Sequence, residues 1–416
     1  MEGAVDSAEG RPIAVDLYSG VGGLSLGMEQ AGFTLAAAAE LDPIHGITHR
    51  YNFPATPLLT GDLGAGTTAT LAQRVQSLIP ERREIDAVVG GPPCQGFSVG
   101  GVRDDDDVRN DQLLRFVDLV VELQPKVFCL ENVAGLLEPR FEPLRKEALR
   151  RLVIDGGYEV TGFGAPVNAA DFGAPQTRRR VLMMGSRVGD APTLRPGTGA
   201  RVTVREALEG LPDIARYRRL LASDEAELVA EDLLALRSVE SPYARRLAGL
   251  EADPNDRSWP RVFDNALLTN SLRTVHTAKT LQRFRRTPVG GVERISRLYR
   301  LDPDRQARTL RAGTSSDRGS HTSPRPIHPV KNRVITVREA ARLHGYPDWF
   351  RFHATNWHGH RQIGNSVPPP LAVAAGRALL AALGISVSVR PGPALELGDP
   401  AWLLGNRVEA EKFLAE

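Results

Sequence analysis

The segment DAVVGGPPCQGFS, residues 86–98, contains a cysteine, the side chain of this sequence that is most clearly suited to take part in a reaction. Asp86 to Val89 predict a short buried strand, which ends at two glycines and two prolines because proline fixes φ and removes a backbone donor. Cys94 is therefore expected at the rim of a sheet, where its thiol fills no core and could act as a nucleophile. Cys129, within the apolar run VFCL, is expected to be structural.

The strands that would position this cysteine share a pattern in which each one ends at glycines or at a polar side chain. In chain order, these strands and the segments that end them are 13–17 before the glycine loop 18–24, 34–39 before Glu40, 57–60 before Asp62, 86–89 before Cys94, and 126–130 before Glu131. The carboxyl ends of parallel strands meet at one edge of a sheet, where ligands bind. We therefore expect these groups to surround one site.

The first strand and its glycine loop are typical of the start of a nucleotide-binding α/β fold. Two common fingerprints are absent, because Ser25 occupies the third glycine position of GxGxxG and no Gly-Lys-Ser/Thr follows. Glu40 stands about twenty residues beyond the start of the loop, where an acid can accept both ribose hydroxyls. The glycine turn alone is weak evidence, and it gains weight from the strand ends that follow it.

Composition excludes several classes of protein. The 416 residues, 42% hydrophobic and 25% charged, describe an ordinary globular chain with room for two or three domains. Two cysteines cannot form a disulfide framework and lack metal-ligand spacing, so we expect a reducing compartment and no metal. The N-terminus lacks the features of a secretory signal, and the apolar stretch 371–389 contains Arg377 and reads as a packed helix. No membrane partner is expected.

The net charge of +2 hides a basic region. Residues 271–333 contain fifteen Lys or Arg side chains but only four acidic ones, Glu293, Asp302, Asp304 and Asp317. A sustained excess of this kind predicts a polyanionic partner, and nucleic acid is the most common one. Regular patterning stops near residue 190 and returns at 336–343, before the loop QIGNSVPP and an apolar helix from about 370 to 383.

These segments resemble the DNA (cytosine-5) methyltransferases of the bacterial modification type. DLYSGVGG, GGPPCQGFS, ENV, QTRRR and QIGNSVPP occur in the family's order, over most of residues 13–186 and 336–385. Tyr18 stands where the family more often has Phe, and Leu41 stands where some members place an aromatic residue over the adenine. The resemblance implies an α/β fold with an S-adenosylmethionine-dependent, Rossmann-like doubly wound sheet and a smaller target-recognition domain.

The resemblance also divides the chain into parts. The expected parts are a disordered leader at 1–12, the first part of the catalytic and cofactor-binding domain at 13–190, the target-recognition domain at 191–335, the returning part of the catalytic domain at 336–390, and a C-terminal tail at 391–416. The catalytic domain is therefore expected to be discontinuous.

The resemblance implies methyl transfer through a covalent cysteine adduct. A thiolate from Cys94 would add to carbon 6 of cytosine and turn carbon 5 into a nucleophile, although an ordinary thiol with a pKa of about 8.5 is only a few per cent ionised at pH 7. Glu131 would protonate or hydrogen-bond ring nitrogen 3 and the exocyclic amine. Arg180, with Arg178 near it, would hold the cytosine carbonyl, and alternation along an extended segment would point both guanidiniums to one face. A phosphate contact or an ion pair is an equal alternative for Arg178.

Cofactor contacts follow by the same resemblance, whereas the DNA contacts at 308–318 are inferred from arginines that alternate with small, flexible residues. The residues expected to bind S-adenosyl-L-methionine are Leu17, Tyr18, Ser19, Gly20, Gly22, Gly23, Leu24, Glu40, Leu41, Asp62, Leu63, Pro92, Asn365 and Ser366. The residues expected to bind DNA are Gln95, Ser98, Arg109, Arg308, Arg311 and Arg318. The segment 95–109 is expected to close over a flipped base. The segment 308–318 is the preferred recognition loop, with a disordered surface loop as its alternative.

The expected partner is double-stranded DNA, bound by a monomer in the bacterial cytoplasm and on the nucleoid, with a cognate restriction endonuclease as a candidate companion. A tRNA cytosine-5 methyltransferase shares these motifs, and a catalytically inactive DNA-binding regulator could keep the same fold. A nicotinamide oxidoreductase is a third alternative, which the missing glycine fingerprint disfavours.

Overall fold

The structure, a computed structural model, describes residues 10–62, 66–79, 83–93, 110–197, 199–313, 324–387 and 392–415, and its main feature is one large β-sheet. The strands in chain order are β1 Ile13–Leu17, β2 Thr34–Glu40, β3 Leu58–Thr60, β4 Ala87–Gly90, β5 Val127–Val133, β6 Glu159–Val160, β7 Val167–Asn168, β8 Gln176–Thr177, β9 Arg179–Ser186, β10 Ala226–Glu227, β11 Leu267–Leu268 and β12 Ala307–Arg308. The main sheet has the order β3-β2-β1-β4-β5-β9-β6, with β7 beside β9. Two small ribbons pair β10 with β11 and β12 with β8.

The first five strands run parallel, whereas β9 runs antiparallel to β5. The strand order reverses between β1 and β4, the kind of switch point at which open α/β sheets bind ligands beyond their carboxyl ends. The ends of β1, β2, β3, β4 and β5 therefore lie at one edge, as the sequence predicts. This arrangement confirms the expected α/β class with a Rossmann-like sheet.

Helices cover both faces of the sheet. They are α1 Gly23–Ala31, α2 Pro43–Asn52, α3 Thr68–Ser77, α4 Asn110–Leu123, α5 Glu142–Arg150, α6 Val204–Leu208, α7 Ala230–Arg237, α8 Pro242–Leu247, α9 Ala278–Arg286, α10 Val337–His344, α11 Asn356–Asn365, α12 Pro369–Ala382 and α13 Arg407–Ala415. Alternate strand residues face opposite sides, so Ala14 packs in the core that contains α1 and α12, and Val15 packs in the core that contains α3 and α4. Among the described helices, none combines the length and apolarity that a bilayer crossing requires.

Helix α12 brings the end of the chain back against its beginning. A Cβ at Gly27 of α1 would lie 2.6 Å from the backbone carbon of Ala372, and one at Gly376 of α12 would lie 2.6 Å from the Cβ of Ala31. Glycine at both positions lets the two helices approach more closely than any larger side chain would allow. The loop before α12 is thereby held at the glycine loop that ends β1.

The ends of the described chain are packed. Arg11 is buried and donates through Nε to the Gly32 carbonyl at 2.9 Å, so order begins before residue 13, inside the expected leader. Residues 400–404 form a 3₁₀ turn, and Ala410 of α13 packs with Ile44 and Ile47 of α2. The segment expected as a tail is therefore folded onto the helix that follows β2.

Between α6 and α10, short helices and irregular chain build two small cores of their own. One contains Ile214, Tyr217, Leu220, Ala226 and Leu268, and the other contains Phe284, Ile327 and Val334. The preferred recognition loop 308–318 lies within the described residues only as far as residue 313.

Candidate active site

The glycine loop leaves β1 through backbone conformations that few residues adopt. Tyr18 has φ +60°, Gly20 +56° and Gly22 +99°. A Cβ at Gly22 would lie 2.3 Å from the Phe53 ring, and a Cβ at Gly23 would lie 2.4 Å from the Val367 carbonyl oxygen. Close contacts therefore require glycine at both positions, and the positive φ at Gly22 favours glycine there as well.

Glu40, at the end of β2, holds the glycine loop in place through a hydrogen bond. Its Oε2 accepts a hydrogen bond from the Gly20 amide at 2.8 Å, and its Oε1 accepts one from the Asp42 amide at 2.8 Å. The Nδ1 atom of His45 lies 3.9 Å from Oε1. A carboxylate offers about four acceptor positions, so Glu40 can hold the loop and still accept hydroxyl groups of a ligand.

An open pocket of about 390 Å³ lies at the carboxyl edge of the sheet. It is lined by Tyr18, Ser19, Gly20, Val21, Gly23, Leu24, His45, Gly91, Glu131, Gln362, Asn365, Ser366 and Val367. The structure thus brings together the glycine loop, the end of β5 and the loop before α12. His45 and Gln362 were not among the predicted site residues. The signal available for His45 was its place in the first turns of the helix that follows Glu40.

The other described residues of the predicted cofactor set lie behind or beside this pocket. Leu17 is fully buried in β1, and Gly22 packs against Phe53. Leu41 is 55% exposed, and Asp62 is exposed after β3. Pro92 is buried, and its carbonyl accepts from Asn132 at 3.4 Å.

Glu131 and Arg180 form an ion pair at the pocket. The Arg180 Nε lies 2.7 Å from Glu131 Oε1, and the two side chains are 12% and 11% exposed. The pair forms because β9 runs antiparallel to β5, with Arg180 opposite Val133. A Cβ at Gly91 would lie 3.2 Å from Glu131 Oε2, so the strand end that leads to Cys94 passes directly beside the carboxylate. A fixed carboxylate and guanidinium can present both acceptor and donor groups to a planar heterocycle.

Arg178 has different contacts. It is 1% exposed, and its guanidinium donates to the backbone carbonyls of Leu310 at 3.0 Å, Gly364 at 2.9 Å and Ser366 at 3.0 Å. Arg178 lies between β8, which pairs with β12, and β9, which pairs with β5. The change of strand partner interrupts the regular alternation of side-chain direction that the sequence led us to expect for Arg178 and Arg180. Arg178 therefore joins the segment at Leu310 to the pocket wall at Ser366.

Several predicted residues lie outside the described part of the chain. These are Leu63, Cys94, Gln95, Ser98, Arg109 and Arg318. The described residues leading to Cys94 show tight packing, because a Cβ at Gly90 would lie 2.4 Å from the Leu17 carbonyl oxygen. Cys129 is fully buried within β5, and burial raises the pKa of its thiol, as expected for a structural cysteine.

Of the predicted DNA-binding residues, Arg308 and Arg311 are described, and both are exposed. The Arg308 guanidinium lies 3.9 Å from the centre of the Tyr299 ring, within cation–π range. In β12, Arg308 pairs with Thr177 of β8, the strand just before Arg178. An exposed arginine is thus held close to the strands that carry the Glu131–Arg180 pair.

A buried polar chain supports the glycine loop from behind. The Ser25 hydroxyl donates to Asp16 Oδ2 at 2.6 Å and lies 3.0 Å from His49 Nε2. Burial raises the pKa of Asp16 to about 7 and lowers the pKa of His49 to about 3. Ser25, which interrupts the glycine fingerprint, therefore has a structural use here. Within the described residues, no group of three or more His, Cys, Asp or Glu side chains could hold a metal ion.

Comparisons with known proteins agree with this geometry. The chain matches the family model for C-5 cytosine-specific DNA methylases over residues 14–381. It is 46% identical over 389 residues to the Type II methyltransferase M.XorII of Xanthomonas oryzae pv. oryzae, covering 94% of this chain and 89% of that protein. It is 31% identical over 374 residues to M1.HphI of Haemophilus parahaemolyticus, covering 88% and 86%. A solved structure of a putative DNA modification methyltransferase encoded within an E. coli prophage aligns with a TM-score of 0.73 at 34% identity, covering 90% of this chain and all of that one.

Proposed function

Because this chain belongs to the C-5 cytosine-specific DNA methylase family, we propose that it methylates carbon 5 of a flipped cytosine within a specific double-stranded DNA sequence, through a covalent adduct with Cys94. The chain is a DNA cytosine-5 methyltransferase, and S-adenosyl-L-methionine is its methyl donor. The single observation that carries the finer proposal is the 2.7 Å Glu131–Arg180 pair, which lies at the same pocket as the glycine loop.

The pocket residues fit S-adenosyl-L-methionine, which supplies an electrophilic methyl group when bound. The backbone of the glycine loop and Ser19 would hold the methionine part, and Glu40, already fixed by two amides, would accept the ribose hydroxyls. The exposed Leu41 and Asp62 would contact the adenine. Asn365 and Ser366 would close the pocket from the loop before α12.

In the proposed reaction, the Cys94 thiolate forms a bond to carbon 6 of the cytosine. The electron pair of the former 5,6 double bond would then bond carbon 5 to the methyl group of S-adenosyl-L-methionine, as the bond between that methyl group and the sulfonium sulfur breaks and S-adenosylhomocysteine leaves. Transfer of the carbon 5 proton to solvent water would reform the double bond, break the bond between sulfur and carbon 6, and release the thiolate. The complete cycle therefore returns the cysteine to its starting state.

Glu131 and Arg180 would hold the cytosine during these steps. Glu131 would protonate or hydrogen-bond ring nitrogen 3 and bind the exocyclic amine, which draws electron density away from carbon 6 as sulfur attacks. Arg180, kept in place by Glu131, would donate to the ring carbonyl and stabilise the developing negative charge. Arg178 would act through the pocket wall, since its guanidinium donates to three backbone carbonyls.

A cytosine inside a duplex cannot reach these groups, so the base must flip out, at a cost of a few kcal/mol for unstacking. We assign the choice of target sequence to residues 191–335 and the chemistry to 13–190 and 336–390. We further propose a monomer that acts in the bacterial cytoplasm, on the nucleoid, alongside a cognate restriction endonuclease. The relatives favour this function over a tRNA cytosine-5 methyltransferase and over an inactive DNA-binding regulator.

The test is a pair of cysteine variants. Transfer of tritiated methyl groups to plasmid DNA, followed by bisulfite sequencing, should give a defined target for the wild type. Cys94→Ala should abolish transfer while S-adenosyl-L-methionine binding stays within a few-fold, because Cys94 ends a separate strand. DNA carrying 5-fluorocytosine should trap wild type and the control Cys129→Ala covalently, but not Cys94→Ala. Turnover by Cys94→Ala would refute the proposed mechanism.

A further inference from the structure

One contact at the pocket involves the residue that departs from the resemblance at the first motif. Tyr18, where the resemblance leads us to expect Phe, donates a hydrogen bond from its hydroxyl to Gln112 Oε1 at 2.9 Å. Phenylalanine has no group that could make this bond. The contact joins the glycine loop at the end of β1 to the first turn of α4.

The Tyr18 side chain is directed by an uncommon backbone conformation. Its φ of +60° is rarely adopted by residues other than glycine and persists only where the surrounding structure enforces it. The ring is half-buried, and the hydroxyl is a donor at neutral pH, since an unperturbed tyrosine has a pKa of about 10 and burial raises the pKa of Tyr18 further. The loop conformation therefore aims a permanent hydrogen-bond donor at α4.

The same part of α4 also contacts the chain that follows β3. Arg115 donates through Nη1 to the Thr68 hydroxyl at 2.7 Å and through Nη2 to the Gly66 carbonyl at 2.8 Å. The ends of β1 and β3 both belong to the proposed cofactor site. Gln112 and Arg115 thus attach one helix turn to the glycine loop and to the segment at Gly66 and Thr68 that leads from β3 into α3.

The position of this turn also matters for the methyl acceptor. Helix α4 begins at Asn110, and the residues before it in sequence include Cys94. The ring of Phe116, in the next turn, lies 2.6 Å from where a Cβ of Gly90 would be, so α4 also packs against the end of β4. Strand β4 leads to Cys94, and helix α4 follows the segment that contains Cys94. Both elements are therefore in contact with the edge of the sheet that carries the proposed cofactor site.

We propose that Tyr18, Gln112 and Arg115 form a positioning bridge that couples cofactor binding at the glycine loop to DNA binding through the first turn of α4. None of the three needs to touch the reacting atoms. The proposal rests on the proposed function, since it assumes that the cofactor occupies the pocket at Tyr18. It assigns a role in communication to the Tyr18 hydroxyl.

The test measures coupling instead of activity alone. A fluorescein-labelled duplex that carries the mapped target cytosine is titrated with the full-length protein, with and without S-adenosylhomocysteine. The ratio of the two dissociation constants is the coupling. We expect Tyr18→Phe and Gln112→Leu each to reduce this ratio by roughly 2- to 10-fold, the range for one lost hydrogen bond. For Gln112→Leu, which lies outside the pocket, cofactor affinity without DNA should change by less than about 3-fold. The double variant should be no worse than either single variant, because both remove the same bond.

The matched control is Tyr158→Phe, which removes a buried hydroxyl that donates to the Pro125 carbonyl at 2.8 Å. This control should keep the wild-type coupling. The proposal is overturned if the wild type has no coupling, if Tyr18→Phe retains the wild-type ratio, if the two single effects add, or if the control loses as much. Failure of the proposed function is a separate result, seen as the absence of methyl transfer and of 5-fluorocytosine trapping in the wild type.

Discussion

The buried chain of Asp16, Ser25 and His49 predicts two opposite dependences of stability on pH. Asp16 and His49 are both fully buried, and the Ser25 hydroxyl lies between them. Asp16→Asn keeps the shape of the protonated acid and removes its titration. His49→Gln keeps a group that can donate to Ser25 and removes the titration of the imidazole. The two variants therefore separate two contributions that the wild type combines.

For Asp16, burial raises the pKa from 3.8 to about 7. Between these pH values the folded protein holds a proton that the unfolded chain has released, so this group makes the free energy of unfolding fall as pH rises. At 1.36 kcal/mol per pKa unit, the fall between pH 5 and pH 8 is roughly 2 to 3 kcal/mol.

For His49, burial lowers the pKa from 6.5 to about 3. Here the unfolded chain holds the extra proton, so this group makes the free energy of unfolding rise with pH until the unfolded imidazole is neutral. The rise between pH 5 and pH 8 is roughly 2 kcal/mol. The two contributions nearly cancel in the wild type.

Urea denaturation followed by circular dichroism at several values between pH 5 and pH 8 would measure both contributions. The free energy of unfolding of Asp16→Asn, relative to wild type, should increase with pH by roughly 2 to 3 kcal/mol. That of His49→Gln, relative to wild type, should decrease by roughly 2 kcal/mol. Difference curves that are flat, or that slope in the same direction, would show that these two groups do not titrate as their burial implies.

Three further variants test the site. Glu131→Gln should lower the rate of methyl transfer by about 100-fold or more, since an amide cannot transfer a proton to ring nitrogen 3, while calorimetry should find cofactor affinity within a few-fold of wild type. Glu40→Ala should weaken cofactor binding in calorimetry and leave the rate at saturating cofactor near wild type; unchanged affinity would contradict the assignment of this strand end. Arg178→Lys should lower the free energy of unfolding by roughly 2 to 4 kcal/mol, because the single ammonium nitrogen of lysine cannot reach carbonyls that Arg178 contacts through two separate nitrogens. A large loss of activity without this destabilisation would instead indicate contact with the substrate.

The sequence alone determines the order along the chain of the parallel strands of this protein and the kinds of residue at which they end. The apolar runs and their glycine, proline or acidic ends predict the parallel strands β1 to β5, because burial and strand termination are encoded locally in residue type. The same local information distinguishes Cys129, which is enclosed by apolar neighbours, from Cys94. The motifs around Glu131 and Asn365 predict that their segments share a site, and the structure brings both to one pocket.

The tertiary structure alone decides which partner each side chain meets. Arg178 and Arg180 are two residues apart, yet one donates to three carbonyls and the other pairs with Glu131. The reason is that β8 and β9 pair with different strands, one of them from the distant segment at residue 307. The Tyr18–Gln112 bond likewise depends on where α4 packs. Periodicity gives the direction of a side chain within its own element, but a contact requires a second element whose position is fixed by the packing of the whole chain.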